Sequence, residues 1–421
     1  MAEKTLSDMP TEKRIALEEL MKSVNSERWP SRWNEIYDRV MDDYEKNGCE
    51  LATPEFYDEI AEKYNILLDY KEYYKRAAVE IAKDDALCRV LCLIAESMKD
   101  REQINKDIVE LDLPKAQNDE YSFKHEMITA LAMCSMLDHT HKLLSEMNLP
   151  IEHYNYGMRR CEAMVETYIM RNEGRIGAKS WEWFQLAIDA KLFRIGRLEI
   201  ELDTKFTKKA TVFENARGEI VTLACNAVMH RDGIELGTKN YEDADGSWEA
   251  VIDETDDAWV GHCYDERGFA KKEKTVLKKS EWKKIISPRD TVLGLHIPVG
   301  VKLTDEGISE DFKNIKRFLN EYFPSFEYKG FVCHSWLMDT QLLDMLGEET
   351  NISKFNKRFL KIGYRGQGQG VFMFVFNIGK PKNVILEKLP ERTTLERKLK
   401  KHYLDGKAIY EIYGFIPKSK L

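Results

Sequence analysis

Side chains able to move a proton, or to meet a carbonyl group as it reacts, gather in the segment VCHSWLMD, Val332 to Asp339. Substitution at a carbonyl carbon needs a base for the attacking group's proton, donors for the oxyanion and an acid for the leaving group. His334 is the base by residue type, since an imidazole titrates near pH 6.5; its plainer reading is a histidine bonded inside a sheet. Asp339 is a second catalytic candidate, and it also reads as the N-cap of a helix beginning DTQLLDML. His296 stands where another strand, VLGLHI, ends, so it either orients a substrate or simply finishes the strand. If 332–336 is a strand, Cys333 and Ser335 point to one face and His334 and Trp336 to the other. A covalent Cys333–His334 dyad is therefore geometrically poor. Backbone N–H groups between Ile297 and Gly300 are the expected oxyanion donors, with Pro298 supplying none.

The stretch TVLGLHIPVGVKLTDEGISEDFKNIKRFLNEYF reads as a buried strand, a loop and a helix capped by Ser309, with the next strand following in YKGFVCHSWL. The helix buries Phe312, Ile315, Leu319 and Tyr322 on one stripe and ends at Pro324. Such a crossover unit can hold coenzyme A or an acyl-CoA: the strand edge takes the pantetheine chain, and amides of the turn and helix start take the phosphates. The expected contacts are Leu293, Leu295, Ile297, Val299, Gly300, Val301, Gly307 and Ser309. Asp305, Glu306, Glu310 and Asp311 crowd the same end and would oppose a pyrophosphate unless they point away. Arg365 to Gly370 (RGQGQG) fits the phosphate pattern R-x-x-G-x-G by letter. It precedes VFMFVFN, a β-rich run, and so reads as a hairpin loop rather than a helix start.

The elements that position these residues fall in two parts, and the fold class is α+β. From Thr11 to about Arg171 apolar residues recur at helical spacing, with start signals at Pro30-Ser31 and Thr53-Pro54. NEGRIG, Asn172 to Gly177, is the expected hinge, giving a helical domain over 1–177 and a second domain over 178–421 that includes the segment 381–421. The second domain opens with a helix from Ser180 and continues as strands at FRIGRLEIEL, ATVF, EIVTLACNAVMH, IELG, SWEAVI and WVGHCY, joined by turn sequences ending in glycine. It reads as an antiparallel meander leading into a mixed, largely antiparallel sheet with flanking helices.

The 421 residues carry 64 basic and 73 acidic side chains, a formal net charge of -9, with no basic block that would mark a nucleic-acid partner. No apolar run reaches membrane-spanning length, and the start MAEKTLSDMPTEKR lacks a signal-peptide core. A cytoplasmic location is the expectation. Eight dispersed cysteines without a C-x-x-C pair fit reduced thiols. Cys88 and Cys92 read as packing on one helix face. His139 and His141, two apart on a helix, cannot share a metal, and no metal is expected.

LHIPVGVKL, FKNIKRFLNEYFP, GFVCHSWLMDTQL, NISKFNKRF and LPERTTLERKLKKHYLDG together carry a family resemblance. The sequence resembles bacterial acyltransferase-domain proteins built from an N-acyltransferase N-terminal helical domain and a GNAT-like C-terminal domain. The resemblance implies a GNAT-type fold and an acyl-CoA co-substrate, and it does not carry the acceptor over; the expected function is acyl transfer to an amine of an unidentified small molecule or peptide. The usual phosphate signature, Q/R-x-x-G-x-G/A, is absent between Ile297 and Ser309. Two further readings stand beside the enzyme: a non-catalytic protein that binds acyl-CoA or another ligand, and a partner-recognition scaffold built on residues 1–171.

Overall fold

The computed structural model describes residues 15–118, 120–178, 181–378 and 384–421. Thr11 and Ser180, expected near helix starts, lie outside the described residues. The chain divides into two compact units, Met1–Ala190 and Lys191–Leu421.

The first unit is helical, with eleven α-helices among the described residues, α1 (Leu17–Ser23) through α11 (Trp181–Ile188). α3 (Pro54–Tyr64) starts on a first-turn proline after Thr53 and ends at Asn65 in the left-handed region. α5 (Asp85–Lys99) is capped by Asp84, whose side chain accepts from the Leu87 amide. α7 (Phe123–Cys134) is buried at every position from Met127 to Cys134, as a helix apolar on all sides must be. Trp33 is fully buried, and its indole N–H donates to Ser97 Oγ at 2.6 Å. The division at 190/191 falls after α11 because that helix packs on other helices of this unit. Cys88 lies in the core as expected. His139 and His141 sit half-buried in the helix Leu137–Glu146, and His141 Nδ1 lies 2.6 Å from the Tyr154 hydroxyl.

The second unit holds two six-stranded sheets. The main sheet runs β1 (Leu192–Ile195), β2 (Leu198–Lys205), β11 (Thr291–His296), β12 (Gly330–Ser335), β14 (Ile412–Pro417), β13 (Leu360–Ile362). Only β11 and β12 are parallel, joined by the crossover helix α12 (Asp305–Tyr322). The other sheet is antiparallel: β10 (Trp282–Ile286), β3 (Ala210–Asn215), β4 (Ile220–Ala224), β8 (Ala258–Tyr264) and β7 (Asp253–Glu254), with β9 (Ala270–Lys278) also on β8. β5 (Ala227–Met229) and β6 (Trp248–Ala250) form a separate hairpin. β9 and β10 escaped the sequence reading because AKKEKTVLK and WKKII are lysine-rich and largely exposed. IELG, expected as a strand, contributes a single bridge, Met229 to Glu235.

Alternation along the central strands sends their side chains two ways. Val292, Val332, Tyr413 and Phe415 pack with Phe206, Ala210, Val212 and Ile286, which puts a shared core between the two sheets. Phe331 faces the other way and meets Phe312 of α12 edge-on at 5.4 Å. Each large apolar side chain so buried contributes roughly 1.5–3 kcal/mol. α12 begins at Asp305 with Thr304 as its N-cap, five residues before the expected cap Ser309, and buries Ile308, Phe312, Ile315, Phe318 and Leu319. The remaining helices are α13 (Gln341–Leu346), α14 (Asn351–Lys357), α15 (Gln369–Phe374) and α16 (Thr394–Leu404), the last closed by a capping box of Thr393 and Glu396.

Candidate active site

The parallel ladder between β11 and β12 is short. It pairs Leu293 with Phe331 and Gly294 with Val332, and there it stops. Both strands run on: β11 stays paired with β2 as far as His296–Glu199, and β12 with β14 as far as Ser335–Ile412. The C-terminal ends of the two central strands thus part company while each is held from its outer side. Main-chain groups of Leu295, His296 and Cys333 to Ser335 border the opening.

The side chains around it share one face of the sheet, the one opposite α12. His296 Nε2 lies 2.9 Å from Glu201 Oε2 of β2. Glu201 reaches it by crossing Gly294, where an added Cβ would come within 2.9 Å of Glu201 Cβ, so glycine at 294 clears the path. Across the opening the His334 ring faces Tyr364 and Tyr413, at 5.5 and 6.2 Å between ring centres. Lys208 Nζ stands 3.4 Å above the Tyr364 ring. The protein packed round His334, and next the nearby Lys208 cation, push its pKa below the usual imidazole value. The ring is therefore neutral at neutral pH. Burial raises the Tyr413 hydroxyl, which stays protonated.

Two of the three expected catalytic residues, His296 and His334, border this opening. Asp339 does not join them. Its buried carboxylate accepts from the Gln341 amide at 3.0 Å, the Gln341 side chain at 3.1 Å and the Tyr410 amide at 2.9 Å. It follows a 3₁₀ turn, Trp336–Met338, that ends the strand earlier than expected, and it precedes a helix that starts at Gln341. Glu201, Lys208, Tyr364 and Tyr413 were missed by the sequence reading. A signal for Glu201 was present in LEIELDTK, where carboxylates alternate with buried Ile200 and Leu202.

Of the expected coenzyme contacts, Leu293 and Leu295 are buried on the α12 side, while Ile297 and Val301 are half-buried. Val299 and Gly300 form an exposed turn, and Gly300 has φ +81° with open space where a side chain would start. Gly307 lies in the first turn of α12 beneath Arg197, whose Nη1 donates to the Gly307 carbonyl at 3.2 Å. Ser309 Oγ donates to the Asp305 carbonyl at 2.8 Å and accepts from Arg358 at 2.8 Å. The acidic crowd at this helix start is partly neutralised: Arg358 pairs with Asp305, and Arg197 holds Asp311 at 3.1 Å. That removes much of the repulsion an anionic ligand would meet there.

The glycine-rich stretch 365–370 departs from its expected hairpin. Gly368 is the N-cap of α15, and VFMF is helical. The loop turns its amides onto Glu411: Gly366 N–H donates to the Glu411 carbonyl at 2.8 Å, Gly370 N–H to its carboxylate at 2.8 Å, and Gly368 N–H to the other carboxylate oxygen. The chain's own carboxylate fills the place that the letters of the motif reserve for phosphate. Among the described residues no group of three or more His, Cys, Asp or Glu is placed to hold a metal ion. Nor is any helix long and apolar enough to cross a membrane.

Comparison with known proteins agrees with this architecture. A family model, the GNAT-like C-terminal domain, matches residues 192–416, more than half of the chain. No curated protein matches. Among solved structures, an acyltransferase in complex with decanoyl-CoA and teicoplanin is 16% identical with a TM-score of 0.59, over 95% of this chain and 98% of the other. An acyltransferase in complex with decanoyl-CoA is 17% identical with a TM-score of 0.57, over 96% and 99%. A mutant acyltransferase in complex with octanoyl-CoA is 16% identical with a TM-score of 0.58, over 95% and 98%. At these identities the likeness is one of fold, and it extends along nearly the whole chain.

Proposed function

We propose that this chain, which belongs to the family of the GNAT-like C-terminal domain, transfers an acyl group from an acyl-CoA thioester to an amine of a small molecule or peptide. The observation that carries the reading is the parted pair β11–β12, whose ladder ends at Gly294–Val332 beside His296, Glu201, His334 and Tyr413. The structures of like fold that hold octanoyl-CoA or decanoyl-CoA support a thioester donor, and the one that holds teicoplanin supports an acceptor larger than a simple amine.

In this reading the pantetheine chain lies along the main chain of Leu295 to Ile297, and its phosphates meet the turn Val299–Val301 and the start of α12. The acceptor nitrogen attacks the thioester carbonyl carbon, the C–S bond breaks, and the coenzyme leaves as thiolate. His296 takes the amine proton, and Glu201 fixes its ring and stabilises the imidazolium that forms. Tyr413, kept protonated by burial, is the donor that returns a proton to the thiolate. Asp339 has no part in these steps.

Thiol release from acetyl-, octanoyl- and decanoyl-CoA, in the presence of amines, tests the proposal. His296→Ala is expected to lower kcat by about 10²–10⁴-fold, and Glu201→Gln by less, with a shifted pH–rate profile. Stabilisation by acyl-CoA without thiol release would leave a binding protein of the same fold, and neither effect would refute both readings.

A further inference from the structure

A cavity of about 380 Å³ opens in the second unit, lined by Asn240, Tyr241, Arg267, Asp339, Arg365 and Tyr410 among others. Two of its walls carry opposite charges with unusual surroundings. Arg365 is 4% exposed, yet its guanidinium donates only to main-chain carbonyls, of Tyr364 at 3.2 Å and Arg267 at 3.3 Å, besides lying over the Phe269 ring at 5.1 Å. No carboxylate lies within ion-pair distance of it among the described residues. Asp339 is 2% exposed, and its three hydrogen bonds come from two amides and one side-chain amide, none of them a cation. Three bonds leave a carboxylate with about one acceptor position to spare.

A buried charge without a direct ion pair is costly. Two further cations line the cavity: Arg267, which pairs with Asp344 at 3.0 Å, and Lys407, which is exposed to solvent. Burial is the main force on both groups, and it works against the charged form of each: it lowers Arg365 and raises Asp339. The Tyr410 hydroxyl, which accepts from the Asn240 side chain at 2.7 Å, and the Tyr241 hydroxyl add neutral polar groups at the same cavity.

We propose that this cavity binds a free α-amino acid, with the ligand's carboxylate on Arg365 and its ammonium on Asp339. Arg365 and Asp339 act on each other across the cavity but form no direct ion pair, and one zwitterion of that class gives each a direct partner at once. An anion alone would leave Asp339 without one, and a cation alone would leave Arg365 so. The cavity lies at the small end of the range that ligand sites occupy, which suits a single amino acid. The site stands apart from acyl transfer, and its test needs no acyl-CoA.

Calorimetric titration of the full chain with the common α-amino acids, and for the best of them with its N-acetyl derivative and its carboxamide, reads the proposal directly. At least one free amino acid is expected to bind, and each derivative, lacking one of the two charges, to bind at least tenfold more weakly. Arg365→Gln should weaken binding at least tenfold. Because that change could unfold the protein, Ala408→Phe adds bulk to the same wall without removing a charge and should abolish binding. Absence of binding by every free amino acid, or equal affinity for either derivative, would overturn the proposal.

Discussion

Two loops of the second unit invite comparison. One, Ile297 to Thr304, holds a single glycine, Gly300, and no complete phosphate signature, yet it follows the parted strand β11 and leads into the long helix α12. The other, Arg365 to Gly370, spells R-x-x-G-x-G and leads into a helix, yet all three of its glycine amides are taken by Glu411. A glycine-rich pattern specifies a backbone that can turn its amides inward. It does not specify what they meet. In the second loop they meet a carboxylate of this chain, and so the loop acts as a clasp that fixes β14 beside β13 and α15.

If that contrast is right, the largest effect belongs to Gly368. Its φ is +73°, and an added Cβ would lie 2.1 Å from the Ile409 carbonyl. Gly368→Val combines a left-handed valine with that overlap and is expected to cost about 3 kcal/mol or more in a denaturant titration. The folded fraction should retain its affinity for coenzyme A. A loss of coenzyme affinity without a loss of stability would reverse the roles of the two loops.

Gly300→Val should do the opposite. Its φ is +81°, but no atom lies within 4 Å of the added Cβ, so only the backbone preference is violated, at about 1–2 kcal/mol. Coenzyme A affinity is expected to fall about tenfold, roughly 1.4 kcal/mol, as read by titration calorimetry. An unchanged affinity would remove the donor from the 297–304 turn.

The smallest effect concerns His334, on the strand that borders the opening. Its folded pKa lies below the unfolded value, first because of the protein packed round it and then because of Lys208. Below about pH 6.5 the unfolded chain therefore binds the proton more readily. The stability associated with a neutral His334 is present above that pH and declines as pH falls through the depressed value. Lys208→Met removes the second cause. The His334 titration followed by NMR should move upward, and no movement would mean that Lys208 does not act on this ring.

How much was legible beforehand differs between these places. LHIPVGVKL and FKNIKRFLNEYF announce strand, loop and helix through an apolar run and a stripe of period 3.6, and the crossover stands where that pattern puts it. The cap of α12 was misplaced by five residues because Thr304 and Ser309 are both plausible caps, and Arg358 and Arg197, which settle the first turn, come from elsewhere in the chain. VFMFVFN reads as a strand by propensity. Its helical form depends on a turn whose amides close on a residue 43 positions away in the case of Gly368.

The sequence by itself determined the α+β class, the β11–α12–β12 crossover and the presence of His296 and His334 at the ends of two strands, because each is written in local periodicity. Tertiary structure alone decided that Glu201 stands beside His296 from 95 positions away, that Glu411 occupies the glycine clasp, and that Arg365 and Asp339 line one cavity. Alternation along a strand tells which face a side chain takes. Which strand lies next to it is decided by the pairing of the whole sheet, and the charges that meet across it follow from that pairing.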